Sequence, residues 1–325
     1  MRRAPFDRQV LIVLGKGGVG RTTVSAALAI RRANAGGRAL VLEYDANGGV
    51  ASIFGRTPSL DAAEVAPGVF ALILDGVHQL GEYLGTVIPS RVIRKTVIGS
   101  RIFRYFVEAA PGLRELIMVG KPVHELERRP SSAPQWDLIV MDAPASGHAL
   151  ELLKMPFVAD QTFGASVVGR EARNVARLLS DRERCGVVIV TSPEPFAVRE
   201  TLETHAALAE AGLEVAALVF NRVHAPGFTA RDANEMARTP ALRALAPHLD
   251  RVADLAHADL ARAAAERRAI ALVARRTGAA IITVPDLPAR PGAEIVRSIA
   301  DYLGAAPAPI HRSGGAPAAR GGRPA

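Results

Sequence analysis

The sequence predicts an α/β protein: a mostly parallel sheet flanked by helices. Two observations carry this. Short β-branched runs recur along the 325-residue chain, each followed by a helix-like stretch. Near-continuous apolar strands of this kind belong to parallel sheets covered on both faces. In addition, a glycine-rich turn, "GKGGVGRTT" (15–23), joins the first apolar run to the first helical stretch.

In chain order, the predicted strands are "QVLIVL" (9–14), "RALVLEYD" (38–45), "WDLIVMD" (136–142), "GVVIVTS" (186–192), "EVAALVF" (214–220) and "AAIITVP" (279–285). The first helix covers 22–35, with Gly36-Gly37 as its stop signal. Between Asp61 and Pro130 the pattern changes to short helices, broken at Pro89, Gly99, Pro111-Gly112 and Pro122. This predicts an inserted helical subdomain at about 61–130. Its apolar residues Val92, Ile93, Val97, Ile98, Ile102, Phe103 and Phe106 fall on more than one helical face. A membrane-surface helix would segregate them. Burial among helices fits better, and a groove for an apolar client has the same pattern. Residues 1–303 read as one domain, and the Ala/Pro/Gly/Arg-rich tail 304–325 is expected to be disordered.

Composition narrows the function classes. No apolar run approaches the ~18 residues needed to cross a bilayer, so no integral membrane segment is expected. The N-terminal "MRRAPFDRQVLIVL" lacks a small-residue cleavage site. Cys185 is the single cysteine, which rules out an intramolecular disulfide or a cysteine cluster for metal within the chain. A cytoplasmic protein is the expectation. The formal charge of +8 comes from arginine, since only Lys16, Lys95, Lys121 and Lys154 are lysines. With Arg312, Arg320 and Arg323 unbalanced in the tail, the excess reads as a solvated basic surface rather than a nucleic-acid site.

The glycine loop lies between strand and helix, the context that makes a phosphate-binding turn. Gly15, Gly17, Gly18 and Gly20 let the backbone turn its N–H groups inward, and the helix dipole favours an anion there. Thr22 is placed to offer its hydroxyl to Mg²⁺. The loop departs from G-x-x-x-x-G-K-[ST] at Arg21, which stands where lysine is usual. A positive charge ~4 Å from a phosphate is worth roughly 4 kcal/mol at an effective dielectric near 20, and arginine keeps it. Its planar fork differs in shape from a compact ammonium. Arg21 therefore bears on the alignment of a reaction more than on binding.

With Lys16 as an early second lysine, "KGGVGRTT" resembles the deviant Walker A signature of the ParA, MinD and ArsA group of dimeric P-loop ATPases. "VMDAPASGHALELLKMP" (140–156) is similar to the switch II region of the ArsA family, and "EYDANGGVASIFG" (43–55) aligns with its switch I. "VIVTSPEPFAVRETLE" (188–203), "ALVFNRV" (217–223) and "TVPDLPARPGAEIVRSIADYL" (283–303) resemble the family's remaining landmarks in order. "AAPGLRELIMVGK" (109–121) resembles the bacterial branch, some of whose members occur as paired paralogues.

The resemblance implies a P-loop NTPase fold, ATP and Mg²⁺ as ligands, and a homodimer or a heterodimer with a paralogue. Residues 15–23, including Val19 and Thr23, would hold the phosphates. Lys16 would reach the partner's nucleotide, Asp45 would orient the attacking water, and Thr22 and Asp142 would serve Mg²⁺. Asn221 would read adenine, with Pro285 and Asp286 flanking the base. Two of these roles agree with independent chemistry. Asp142 ends an apolar strand, where an unpaired buried carboxylate is costly without a cation, and Asp45 ends a strand at the ligand-binding edge of such sheets. Competing readings make Asp45 a turn residue before Asn47-Gly48 and Asn221 a cap. His148 carries no assigned chemistry.

The sequence also departs from the family. "DANGG" replaces the proline, histidine and asparagine that follow the switch I aspartate in better-known members. Cys185 alone supplies neither the metalloid site of arsenite pumps nor the C-x-x-C clasp of the tail-anchored-protein targeting ATPase. Three functions follow: an ATPase switch acting on a protein or membrane client, a weakly hydrolysing subunit paired with a paralogue, and a ParA- or MinD-like positioning ATPase.

Overall fold

The computed structural model describes residues 4–87, 112–128, 135–238, 249–288 and 290–304. The apolar residues between Val92 and Phe106, and the tail from 305 onward, lie outside this set.

Alternation along the first strand organises the molecule. In β1 (Val10–Gly15), Leu11 and Val13 face one apolar core while Val10, Ile12 and Leu14 face another. A period of two puts successive side chains on opposite faces, so a strand without polar residues needs a helical layer on each side. The first layer holds α1 (Arg21–Asn34) and α10 (Gly292–Gly304), the latter through Val296, Ile299 and Leu303. The second holds α4 (Leu113–Glu127), α5 (Ser146–Phe163), α6 (Val167–Ser180) and α7 (Pro195–Glu210). Each fully buried Leu, Ile or Val contributes about 1.5–3 kcal/mol.

The remaining strands are β2 (Ala39–Glu43), β3 (Ala63–Ala66), β4 (Val69–Ile73), β5 (Leu138–Asp142), β6 (Cys185–Thr191), β7 (Val215–Val223) and β8 (Ile281–Pro285). They form one sheet in the order β3-β4-β2-β5-β1-β6-β7-β8. Every neighbouring pair is parallel except the β3–β4 hairpin. The mostly parallel P-loop NTPase sheet flanked by helices is thus the observed fold. A short helix, α2 (Gly49–Ile53), follows β2, and α8 (Ala230–Arg238) and α9 (Leu249–Thr277) connect β7 to β8.

The region 61–130 needs two corrections. Residues 63–73 are not helical: they form β3 and β4, because Pro67-Gly68 makes a turn with Gly68 at φ 73° between two extended runs. Helix begins only at α3 (Gly76–Val87). Pro122 does not break its helix either, and lies buried inside α4. Its fixed φ is compatible with a helix, and ion pairs hold the same turn. Lys121, 3% exposed, bridges Glu82 of α3 at 2.5 Å and Glu125 at 2.9 Å. Glu125 also accepts from Trp136 Nε1 at 2.8 Å. Between α3, α4 and α6 lies a cavity of about 520 Å³, lined by apolar side chains including Leu80, Leu84, Ile117 and Val168. Leu116 of α4 packs with Met155 and Ala159 of α5, which ties this cavity wall to the helix that follows β5.

Candidate functional site

The carboxyl ends of β1, β2, β5 and β7 converge, and the loop 15–20 sits among them. Gly15 fits because a Cβ there would fall 2.2 Å from the Val190 carbonyl oxygen of β6. Gly20, the residue before α1, takes φ 95°, a left-handed conformation that favours glycine. Among the described residues no side chain caps α1. Its first-turn N–H groups therefore remain available to an anion, beside the positive end of the helix dipole.

Asp142 is the electrostatic centre of the site. It ends β5, is 6% exposed, and accepts from Thr22 Oγ1 at 2.7 Å and Ser25 Oγ at 3.0 Å. Burial pushes its carboxyl above the usual range, while the two hydroxyls and the Arg21 charge oppose that rise. A buried carboxylate with hydroxyl partners fits a divalent cation, which would relieve the desolvation that burial imposes. Thr22 and Asp142 would hold such an ion. Arg21 is turned toward the same strand end: its Nη1 donates to the Ala143 carbonyl at 2.5 Å. Lys16 is exposed on the loop, with Nζ 5.8 Å from the ring centroid of Phe196, itself 80% exposed. Gly17 and Gly18 are exposed, Val19 is buried beneath them, and Thr23 is half-buried in the first turn of α1.

Asp45 lies exposed just beyond β2. Its Oδ1 accepts from the Asn47 N–H at 2.9 Å and from Asn47 Nδ2 at 2.8 Å, so the turn interaction is present. Asn221 is 6% exposed and donates through Nδ2 to the Val19 carbonyl at 2.8 Å. It therefore braces the glycine loop, and a Cβ on Gly20 would fall 2.5 Å from that same Nδ2. Arg222 follows at φ 57°, an uncommon conformation for a residue other than glycine. Pro285 pairs in register with Val223, and the Asp286 N–H donates to the Val223 carbonyl at 2.9 Å. The structure thus brings Pro285 and Asp286 to the end of the strand that carries Asn221.

Two further residues belong here that sequence reasoning missed. Ser25 stands three residues after Thr22, hence on the same helical face. Glu43 ends β2 in register with Asp142 on β5, is 1% exposed, and accepts from the Val50 N–H at 2.6 Å. Burial pushes its carboxyl up to about 7, the charges of Asp142 and Asp45 add to that rise, and the Val50 and Ala51 N–H groups oppose it. The signal was a lone charge in an apolar run, "ALVLE". Tyr44 and His148, one beside each acidic loop, meet through Tyr44 Oη and His148 Nε2 at 3.1 Å.

Comparison with known proteins agrees with this geometry. Residues 8–171, half of the chain, match the family described as anion-transporting ATPase. The ATPase BagA of Mycobacterium tuberculosis is 31% identical over 222 residues, covering 65% of this chain and 64% of its own length. An arsenical pump-driving ATPase of Escherichia coli is 30% identical over 230 residues, covering 66% of this chain and 39% of its own. The ATPase GET3B of Arabidopsis thaliana is 26% identical over 278 residues, covering 67% and 65% respectively. The match thus spans less than two thirds of the length of each of these relatives.

Proposed function

Because the chain belongs to the anion-transporting ATPase (ArsA) family, we propose that it binds and hydrolyses Mg-ATP as a dimeric nucleotide switch. The observation that carries this reading is the grip of Thr22 and Ser25 on Asp142 directly beneath the uncapped start of α1. An anion-binding helix end and a buried, hydroxyl-bound carboxylate meet at one strand edge, which is the arrangement phosphoryl transfer needs.

In this reading the loop N–H groups bind the β- and γ-phosphates, and Arg21 supplies positive charge beside them. Lys16, exposed and lying near the Phe196 ring, extends toward a partner's nucleotide. Asp45, at the solvent side of β2, orients the attacking water with the carboxylate oxygen not used by Asn47. Mg²⁺, held through Thr22 and Asp142, would neutralise charge developing on the phosphate oxygens. Asn221 braces the loop and, with Pro285 and Asp286, forms the edge where the base would rest. Tyr44 and His148 tie the two acidic loops together, and Met155 links that end of the molecule to the cavity wall. The cavity between α3, α4 and α6 is then the output end, acting on a protein or membrane client. No described helix is long and apolar enough to cross a membrane.

A second reading draws on Arg21. Its donation to Ala143 engages the guanidinium at the end of β5, which favours slow hydrolysis and a role beside a paralogous subunit. Turnover of Mg-ATP by the purified wild type, Asp45→Asn, Lys16→Ala and Arg21→Lys proteins tests both. The first reading expects turnover abolished by Asp45→Asn and sharply reduced by Lys16→Ala. Undetectable wild-type turnover with intact ATP binding, restored by Arg21→Lys or by an added paralogue, supports the second. Failure of all four proteins to bind ATP refutes both.

A further inference from the structure

We infer that Glu43 is a positioning residue: its carboxyl clamps the returning end of the Asp45 loop against the strand that carries it. The inference rests on the ATPase reading for its consequence in turnover, though not for the clamp itself.

The segment between β2 and α2 carries Asp45, and each of its ends must be fixed for the aspartate to hold one position. The leading end is fixed by strand pairing, since Glu43 is the last β2 residue in register with Asp142. The Tyr44 N–H extends that pairing by donating to the Asp142 carbonyl at 3.2 Å. The returning end is anchored by the buried side chains of Val50 and Ala51, but its first N–H groups need an acceptor. α2 is only five residues long, starts after Gly48 in a left-handed conformation, and has no side-chain cap of its own. Glu43 supplies the missing acceptor from the neighbouring strand. Its Oε1 takes the Val50 N–H at 2.6 Å, and the Ala51 N–H also favours the carboxylate. A carboxylate at a helix start satisfies orphan donors and complements the dipole.

The clamp sits against the metal-binding corner. At Gly49 a Cβ would fall 2.9 Å from Thr22 Cγ2 and 3.8 Å from Glu43 Oε1. Thr22, Gly49 and Glu43 are thus packed together, so the position of α2 is set relative to Thr22. Val50 and Ala51 are also anchored by burial in the core, so loss of the acceptor loosens this end without freeing it, and Asp45 is held less tightly at its distance from the glycine loop. Near-attack geometry is sensitive to errors of this kind, whereas ground-state binding by the loop 15–23 is not touched.

The experiment compares the wild type with Glu43→Ala, Glu43→Gln and Glu43→Asp. Steady-state ATP turnover is measured with Mg²⁺ titration, and amide hydrogen exchange at residues 50 and 51 is followed without nucleotide. In Glu43→Ala, kcat should fall at least tenfold with KM for ATP within threefold, and exchange at Val50 and Ala51 should speed at least tenfold. Glu43→Gln keeps an acceptor at the same reach, so both readouts should stay within threefold of wild type. Glu43→Asp keeps the charge but retracts the acceptor, and should fall between Gln and Ala. If Glu43→Ala does not fold, the order of Gln above Asp decides. Asp above Gln, with a weakened apparent Mg²⁺ affinity in Gln, would make Glu43 a metal-shell carboxylate and overturn the clamp. Unchanged exchange and turnover in Glu43→Ala would overturn it too. If the wild type shows no turnover, the ATPase reading fails, while exchange at 50 and 51 still decides the clamp.

Discussion

Raising the pH from 5 to 8 should weaken the fold through Glu43. In the folded protein burial holds its carboxyl up at about 7, against an ordinary value of 4.5, with Asp142 and Asp45 repelling the ionised form. The folded state therefore keeps the proton more tightly than the unfolded chain. Between these two values it binds more protons, so stability falls as pH rises through that window and is fully present below it. One pKa unit corresponds to ~1.4 kcal/mol, so the full penalty above pH 7 is about 3 kcal/mol. At pH 5 only ~1 kcal/mol of it is felt. Glu43→Gln cannot ionise and keeps an acceptor for Val50, so it isolates this contribution. Urea unfolding of both proteins in chelator should show the variant gaining about 2–3 kcal/mol on the wild type between pH 5 and pH 8. Asp142 is common to both and lies on the adjacent strand, and its repulsion of Glu43 is already contained in the raised value. A wild-type-minus-variant difference that stays flat across this range would refute the reasoning: Glu43 would then be solvated, or paired with a cation.

Other outcomes follow from the same geometry. Gly20→Ala combines a left-handed φ with a clash at Asn221 Nδ2. Roughly 1–2 kcal/mol of backbone strain and about 1 kcal/mol for the lost Asn221–Val19 bond should appear in urea melts, and ATP-analogue binding should fall by more than tenfold. Lys121→Met removes the buried cation that Glu82 and the 2%-exposed Glu125 share, leaving them only the half-exposed Arg128 among the described cations. Burial works to raise the Glu125 carboxyl, but Lys121, Trp136 and Arg128 outweigh it and hold it below the ordinary value. A buried carboxylate stripped of every partner costs about 3–5 kcal/mol; with Arg128 and Trp136 retained the loss should be smaller, read as a lower melting temperature in calorimetry. Cys185 is 2% exposed and burial pushes its thiol up to about 12. A thiol reagent at pH 8 should label it only at the rate of unfolding, and rapid labelling of the native protein would contradict that.

Much of this was legible in the sequence, and the exceptions share a cause. The strands at 9–14, 136–142 and 186–192 announce themselves because a two-faced buried strand admits almost no polar residue. The glycine loop is legible because backbone conformation restricts residue type at Gly15 and Gly20. The β3–β4 hairpin was not: "AEVAPGVFALI" (63–73) is short, and only Pro67-Gly68 marks its turn. Ser25 and Glu43 were hidden because their importance comes from neighbours over a hundred or seven residues away, Asp142 and Val50, respectively. Asn221 shows the limit from the other side. Its position at the end of β7 was foreseeable, but its bond to Val19 depends on how closely two distant loops approach.

The sheet order has a consequence for how the chain is made. Val10 of β1 pairs with Ile139 of β5 across roughly 130 residues, and its other neighbour, β6, is later still. At ~5–20 residues per second on the ribosome, the strand leading into the glycine loop waits about 6–25 s for its first partner. Meanwhile β2, β4 and β3 are close in sequence and can pair without it. β5 must then insert between β2 and β1. The newborn chain thus carries an apolar, unpaired strand edge until β5 has been made, which makes its first half a natural substrate for chaperones.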